Sequence, residues 1–146
     1  MIKEVKDNVK YKYSNNSLSK LFTCHRDLQV IFNNVILYID CTIITGFRSE
    51  EEQNKAFNNG LSELKYPLSK HNKNPSLAID VAPYPIDWNN LIRFYYFGGL
   101  VMGISNDLLK AGKITHEIRW GGDWDKDNDF SDQKFNDLVH FELKEI

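Results

Sequence analysis

Leu138-Val-His-Phe-Glu-Leu143 carries the clearest structural signal in the chain, because apolar and polar side chains alternate along it. In an extended strand, neighbouring side chains point to opposite faces, so three apolar side chains fall on one face: Val139, Phe141 and Leu143. The other face carries His140 and Glu142 beside Leu138. The period of two therefore predicts a strand that packs one face against a core and presents an imidazole on the other.

A second strand is predicted at Ala78-Ile-Asp-Val-Ala82, and the prolines that follow end it because proline cannot donate to a strand ladder. Ile79 and Val81 share its apolar face, and Asp80 lies on the opposite face. A carboxylate in so apolar a strand is costly to bury unless it is paired or bound to a metal. Asp80 is therefore the first candidate for a functional residue.

Helices and further strands are predicted before these two strands. Apolar residues recur in steps of three and four over residues 17–38, which predicts a helix with Ser17 as its N-cap. The β-branched run Cys41-Thr-Ile-Ile-Thr-Gly-Phe47 predicts a strand. A helix is expected to follow it, with Ser49 as its N-cap and Glu52 completing a capping box.

The second half of the chain is predicted to begin with a long loop, residues 60–76, which is rich in turn formers and lacks periodicity. A helix is expected over residues 88–111, capped by Asp87 and weakened by three glycines that indicate close packing. Residues 117–120 are a further candidate strand. Together these elements predict an α+β fold for residues 1–146, a single domain with helices packed on a small, mainly antiparallel sheet that has one polar face.

The composition fits one globular domain and excludes several classes of protein. Of the 146 residues, 42% are hydrophobic and 26% charged, and no run approaches the roughly 18 consecutive apolar residues of a membrane span. The formal net charge is -2, so no broad positive field attracts nucleic acid. Cys24 and Cys41 form no CxxC pair, which indicates reduced thiols that pack in the core. The opening residues, Met-Ile-Lys-Glu-Val-Lys, lack the apolar segment of a signal peptide, so folding in a cytoplasm is expected.

Asp80 and His140 suggest a metal centre if a third ligand lies nearby. His71, in the predicted loop, is the candidate for this third position. Two imidazoles and one carboxylate make a three-ligand zinc site with a fourth position open for water, as catalytic zinc sites have. Asp137, three residues before His140, is then close enough to take a proton from the water that the metal acidifies.

Six short blocks of this sequence resemble a family of zinc peptidases. The family includes D-alanyl-D-alanine carboxypeptidases and the L-alanyl-D-glutamate peptidases that bacteriophages use as endolysins. The blocks follow the family's order within residues 44–143, and each is weak singly but specific in combination. They are Gly46-Phe-Arg-Ser49, Ser69-Lys-His71, Ala78-Ile-Asp-Val-Ala-Pro83, Ile86-Asp-Trp88, Trp120-Gly-Gly-Asp-Trp124 and Asp137-Leu-Val-His-Phe-Glu142.

The resemblance implies a role for each matching residue. His71, Asp80 and His140 would bind zinc. Asp137 would be the catalytic base, and Arg48 would bind the substrate and polarise the scissile carbonyl. An aspartate at the base position resembles the phage endopeptidase branch, since the carboxypeptidase branch usually has glutamate there. The implied substrate is the stem peptide of bacterial peptidoglycan, cut between L-Ala and D-Glu.

The resemblance also implies where such a protein works. It would be a monomer that binds peptidoglycan stem peptide and neither nucleic acid nor the interior of a membrane. It would be made in the host cytoplasm and would reach the cell wall through holin pores. Two alternatives remain open. One is a D-Ala-D-Ala carboxypeptidase with the same metal ligands, and the other is a non-catalytic wall-binding module, in which Asp137 would have no task.

The connection from His71 to Asp80 departs from the family pattern. Eight residues, 72–79, intervene without a glycine, whereas the family has a shorter connection that includes one. A longer loop costs little closure entropy, so the ligands can still meet. The chain is nevertheless expected to enter the strand by a different path.

Several other residues allow two interpretations. Glu142 shares a strand face with His140 and either orients that ligand or is exposed to water. The three tryptophans line either a substrate groove or the core: Trp88, Trp120 and Trp124. His25 lies on the predicted N-terminal helix, and His116 has no acidic partner at a matching spacing, so neither is assigned to the metal centre.

The segment Asp123-x-Asp125-x-Asp127-Asn-Asp129 has alternate carboxylates, as the start of a calcium-binding loop does. It lacks the expected glycine at Asn128, and Lys134 takes the place of the final glutamate. A solvated turn is therefore favoured over a looser calcium site.

Overall fold

The computed structural model describes residues 10–127 and 137–144. Within these ranges, four helices and four strands succeed one another, with one 3₁₀ turn among them. The helices are α1 (Asn15–Leu21), α2 (Arg26–Val35), α3 (Glu50–Asn58) and α4 (Leu91–Lys110), and the 3₁₀ turn is Lys70–Asn72. The strands are β1 (Cys41–Thr45), β2 (Ala78–Pro83), β3 (Glu117–Gly121) and β4 (Asp137–Lys144).

The four strands form one antiparallel sheet in the order β1-β2-β4-β3. The two strands predicted to carry polar groups, β2 and β4, are therefore neighbours at the centre of the sheet. Helices α2 and α4 pack against each other, and α4 also packs on β2, β3 and β4. The predicted α+β class and antiparallel sheet are confirmed. None of the helices in the described ranges is long and apolar enough to span a membrane.

The core lies between the helices and one face of the sheet, where the side chains of Ile79 and Val81 are fully buried. An aromatic cluster surrounds the ring of Phe141: Phe32 at 5.6 Å, Phe97 at 6.1 Å and Trp120 at 6.4 Å between ring centroids. The period of two thus correctly assigned Phe141 to the core face. It fails at the start of β4, where Leu138 packs against the core although it was assigned to the polar face. The register of β4 against β3 also shifts there, between Trp120 and Gly121.

The single helix predicted over residues 17–38 is wrong, because the chain breaks between α1 and α2. Ser76 inserts there: its N–H donates to Thr23 O (2.9 Å) and its carbonyl accepts from His25 N–H (2.8 Å). His25 then starts a new helix, and its Nδ1 accepts a hydrogen bond from Asp27 N–H. Local periodicity could not reveal this break, since its cause lies about fifty residues further along the chain.

Two predicted helix caps also differ from the structure. Ser14, and not Ser17, caps α1, while the buried Ser17 accepts a hydrogen bond from Ile43 N–H on β1. Helix α4 begins at Leu91, and Asp87 accepts from Asn89 N–H in the turn that precedes the helix. The capping box of Ser49 and Glu52 on α3 is present as predicted.

Close packing explains one of the three glycines of α4. A methyl group at Gly98 would overlap the indole of Trp120, whereas Gly99 and Gly103 face open space. Cys24 and Cys41 are buried free thiols, as predicted. Burial raises the pKa of both to about 12, so they remain protonated packing groups.

Candidate metal centre

Asp80 and His140 face each other across the two central strands. They are direct partners in the β2–β4 register, and both are buried, with 8% and 9% of their surface exposed. His140 Nδ1 lies 3.2 Å from Asp80 Oδ1. The face that the sequence predicted to be polar therefore brings an imidazole and a carboxylate into direct contact.

His71 joins this pair from the 3₁₀ turn, whose N-cap is Ser69. Its Nδ1 donates to Gly46 O at 2.8 Å, and this fixes the tautomer so that Nε2 carries no proton in the neutral ring. Nε2 points to Asp80 Oδ1 at 3.3 Å and is buried without a hydrogen-bond partner among the described residues. A buried imidazole nitrogen with a free lone pair, aimed at a carboxylate, is what a metal ligand looks like before binding.

The longer connection after His71 is closed by two anchors. Leu77 N–H donates to Lys70 O at 3.1 Å, next to His71, and Ser76 is held in the break between α1 and α2. The Ser76 hydroxyl also contacts Gly46 O and Ala78 O. The eight intervening residues are therefore held at both ends, and His71 reaches Asp80.

The three residues have the spacing that a tetrahedral metal requires. One ligand atom from each of His71, Asp80 and His140 lies within 4.8 Å of the others. Ligand atoms 2.0–2.1 Å from a shared tetrahedral centre are about 3.3 Å apart, which matches the distances of 3.3 and 3.2 Å from Asp80 Oδ1 to the two ring nitrogens. Two nitrogens and one carboxylate oxygen are also a donor set that zinc prefers. The residues therefore fit this metal.

The ionisable side chains of the site shift one another's pKa values. Burial by itself raises the pKa of Asp80, but the neighbouring imidazoles of His71 and His140 outweigh it and hold this pKa well below its usual range. Burial lowers the pKa of His140, whereas its contacts with Asp80 and Glu142 raise it to about 9. At neutral pH, His140 is therefore protonated, and its imidazolium supplies a positive charge beside Asp80.

Arg48 follows β1 and reaches the same carboxylate from the other side. Its NH2 group lies 3.5 Å from Asp80 Oδ2, and its NH1 group donates to Gln53 Oε1 at 2.9 Å. Gln53 is fully buried and also binds Asn72, Ser62 and Leu64 O. The sequence analysis missed Gln53. Its helical spacing to Ala56 and Phe57, on the inward face of α3, is the signal that would have indicated a buried amide.

Asp137 is the first residue of β4 and pairs with Gly121. A side chain on Gly121 would overlap the Asp137 carbonyl, so the close pairing of these two residues requires glycine. Burial and the negative charge of Asp80 raise the pKa of Asp137, while interactions with three residues of the site oppose that rise: His140, His71 and Arg48. The Asp137 carboxyl therefore belongs to the electrostatic environment of the centre.

Glu142 is buried, with 6% of its surface exposed, so the exposed alternative is wrong. Its Oε1 lies 2.8 Å from His140 Nε2, and its Oε2 lies 3.0 Å from both Lys70 Nζ and Arg119 NH2. Burial raises the pKa of Glu142, but His140 and Lys70 outweigh it and lower the pKa to about 2. Glu142 is thus an ionised group in contact with a metal-ligand candidate.

The three tryptophans have different environments. Trp124 borders the centre. Its ring centroid lies 5.4 Å from that of the His140 ring, and the Arg119 guanidinium lies over the Trp124 ring, 5.1 Å from its centroid. Trp120 is buried in the core, and Trp88 is 59% exposed and stacks on Phe94. Trp124 is thus the tryptophan whose ring contacts a metal-ligand candidate.

His25 and His116 lie outside the centre, as expected, but the acidic partner that His116 lacked in sequence is present in the fold. Asp27 Oδ2 lies 2.7 Å from His116 Nδ1 and also accepts from Thr115 N–H and His116 N–H. Asp27 therefore ties α2 to the loop before β3. This partner is 89 residues away in sequence, so no local spacing could indicate it.

The acidic segment is described only in part. Asp123, Asp125 and Asp127 can bring one carboxylate oxygen each within 4.8 Å of the others. Asn128, Asp129 and Lys134, on which the comparison with calcium loops depended, lie outside the described residues.

Comparisons with known proteins identify the family and a similar fold. A family model described as phage L-alanyl-D-glutamate peptidase matches residues 9–144. Among solved structures, the crystal structure of Serratia marcescens L-Ala D-Glu endopeptidase ChiX is similar, with a TM-score of 0.65 and 19% sequence identity over 94% of each chain. At that identity the likeness shows a shared fold. No curated protein sequence matches the chain significantly.

Proposed function

Since the chain belongs to the phage L-alanyl-D-glutamate peptidase family, we propose that it is a zinc-dependent endolysin that cleaves the L-Ala–D-Glu bond of the peptidoglycan stem peptide. The observation that carries this proposal is the convergence of His71 Nε2, Asp80 Oδ1 and His140 Nδ1 on one buried point. Residues 1–146 then form one zinc peptidase domain.

His71, Asp80 and His140 are the proposed ligands. When bound, zinc supplies a Lewis acid that lowers the pKa of a water molecule and polarises the scissile carbonyl. Three protein ligands leave a fourth position for these groups, as catalytic sites require. The hydrogen bond from His71 Nδ1 to Gly46 O and the contact of His140 Nε2 with Glu142 keep the remaining ring nitrogens directed inward.

Asp137 is the proposed general base. It takes a proton from the attacking water and passes it to the leaving amine of D-Glu. Its pKa is raised by burial and by Asp80, which brings the carboxylate closer to the basicity that proton transfer near neutral pH needs.

Arg48 is the proposed substrate-binding cation. Its guanidinium donates to the oxygen of the scissile carbonyl as negative charge develops there. The hydrogen bond to Gln53 Oε1 holds one side of the guanidinium, and the other side remains directed to the centre. Orientation by a buried partner reduces the entropy that the arginine loses on binding.

Product analysis of digested peptidoglycan tests the proposal. Mass spectrometry is expected to find new amino termini at D-Glu and new carboxyl termini at L-Ala. Release of free D-Ala would instead indicate a carboxypeptidase. A wall-binding module would leave the turbidity of permeabilised cells unchanged, so a flat turbidity trace with zinc-loaded protein would overturn the enzymatic function altogether.

We also propose that the protein acts as a monomer on the wall after release from the host cytoplasm through holin pores. Expression in a bacterial host is expected to cause lysis only when a holin is produced with it. Lysis of intact cells without a holin would show another route of release.

A further inference from the structure

We propose that Glu142 is a positioning residue of the metal centre, which accepts the Nε2 proton of His140 and so leaves Nδ1 as the ligand atom. This inference rests on the proposed metal site and adds the group that determines its geometry. The same carboxylate also joins the two chain segments that carry the histidine ligands, through its ion pair with Lys70.

The orientation of the His140 ring is the first observation. An imidazole has two nitrogens, and the one that reaches a metal is determined by the contact that the other makes. Here Nε2 lies 2.8 Å from Glu142 Oε1, while Nδ1 lies 3.2 Å from Asp80 Oδ1. Glu142 and His140 are two residues apart on β4, so their side chains share one face of the strand. A flip of the ring would break both contacts.

Glu142 is itself held in place, which a positioning group requires. Its Oε2 contacts Lys70 Nζ and Arg119 NH2, each at 3.0 Å. These two cations engage one oxygen and leave Oε1 for His140. The carboxylate is buried, so water does not compete freely for that oxygen.

Lys70 extends the effect to the second histidine ligand. It precedes His71 in the 3₁₀ turn, and its Nζ donates to Leu143 O at 2.6 Å as well as contacting Glu142. The turn that carries His71 is thereby attached to the strand that carries His140. One carboxylate thus orients the ring of one ligand and holds the backbone segment of the other.

A purely structural ion pair is the competing explanation, and Arg119 offers the matched control. Its side chain is 41% exposed, and it contacts the same Oε2 atom. Arg119→Gln removes one ion pair of Glu142 but leaves the contact between Oε1 and His140 Nε2. If Glu142 acted only through its ion pair with Arg119, Arg119→Gln and Glu142→Ala would have similar effects on metal binding.

Cadmium-113 bound to the full chain gives two readouts that need no activity. Competition with a chelator measures the affinity, and cadmium–nitrogen coupling in NMR spectra identifies the ligating nitrogen of each histidine. The wild type is expected to show coupling to His71 Nε2 and His140 Nδ1. Glu142→Ala is expected to bind about 10- to 100-fold more weakly and to lose the single Nδ1 coupling, because the ring is no longer fixed.

Two further variants define the outcome. Arg119→Gln is expected to weaken binding by less than about fivefold, as loss of a half-exposed ion pair does. Glu142→Gln keeps an acceptor for the Nε2 proton, so it is expected to retain the Nδ1 coupling and to bind more tightly than Glu142→Ala. If Glu142→Ala fails to fold, these two variants decide the question.

Three results would overturn the inference: wild-type affinity and coupling in Glu142→Ala, equal losses in Arg119→Gln and Glu142→Ala, or a Glu142→Gln variant that binds as weakly as Glu142→Ala. Failure of the proposed function is a separate result. In that case the wild type would leave the peptidoglycan stem peptide uncut, whatever the cadmium measurements show.

Discussion

Arg48 and His71 are joined through their backbones: Arg48 N–H donates to His71 O at 2.8 Å. Asn72, the next residue, donates from its side chain to Arg48 O at 3.0 Å. The proposed substrate-binding cation and the first proposed metal ligand therefore occupy neighbouring positions in two loops that hold each other. A displacement of either loop is expected to disturb both metal binding and substrate binding.

His140→Ala is expected to lose stoichiometric zinc, because it removes one of the three proposed ligands. It also leaves the Asp80 carboxylate without one of its two imidazole partners. Metal content after dialysis, measured by mass spectrometry, checks this. His116→Gln is the control, since His116 lies outside the centre and should leave one zinc per chain. Retention of a full equivalent of zinc by His140→Ala would exclude His140 as a ligand.

Asp137→Ala is expected to fold and to keep zinc, but to lose activity by a factor on the order of 10² to 10⁴, the usual contribution of a general base. Initial rates of peptidoglycan hydrolysis and zinc content, measured on the same preparation, separate the two effects. Near-normal hydrolysis would remove Asp137 from the mechanism.

Gln53→Leu is expected to lower kcat/KM by about 100-fold without loss of zinc, because the Arg48 guanidinium loses its fixed orientation. The former hydrogen-bond partners of Gln53 would remain buried without a hydrogen bond to this side chain. This loss should also lower the free energy of unfolding by about 1–3 kcal/mol. Ser62→Ala removes a partner of Gln53 on the side away from Arg48, and it should leave kcat/KM nearly unchanged. Equal kinetic losses in the two variants would show that the buried amide acts through the fold and not through Arg48.

Zinc affinity is expected to rise with pH up to about 9, the pKa of His140 without metal. The metal must displace the proton on this ring, so below that pKa the affinity should fall on the order of tenfold per pH unit for this one proton. Chelator competition at several pH values between 6 and 9 measures the slope. A flat profile would mean that no protonated ligand is displaced.

Asp27→Asn is expected to lower the free energy of unfolding at neutral pH by about 1–3 kcal/mol, because Asp27 accepts hydrogen bonds from Thr115 and His116. Burial opposes ionisation of Asp27, but these hydrogen bonds outweigh it and lower its pKa in the folded state. The stabilisation is therefore complete above the unfolded-state pKa of about 4. It is lost as the pH falls through the lower pKa of Asp27 in the folded state. Urea unfolding of both proteins from pH 7 to pH 3 should show the difference narrowing only at the acid end.

Much of the sheet and part of the centre followed from local patterns. Alternation in two short segments assigned Asp80 and His140 to polar faces, and both lie where this predicts. The capping box on α3 was equally local, since Ser49 and Glu52 are three residues apart. Local patterns of this kind predict the fold correctly because they depend on backbone geometry, which does not require tertiary contacts.

Other features that the sequence did not reveal depend on distant partners. Ser76 breaks the N-terminal helix from a position about fifty residues away, and Asp27 pairs with His116 across 89 residues. Lys70 reaches Glu142 in the same manner, over 72 positions. Such contacts arise only when the whole chain closes, so the ion pairs around the centre could not be predicted from spacing.

The indole of Trp120 lies against both Gly98 and Gly122, and a methyl group at either glycine would overlap it. Trp120 in turn stacks on Phe141, the neighbour of His140 in β4. Two residues without side chains thus leave room for the indole that packs against the strand carrying His140. In an evolving lineage, Gly98 would be constrained although it lies outside the family's motifs, because one added carbon there would displace the indole that packs against the strand of His140.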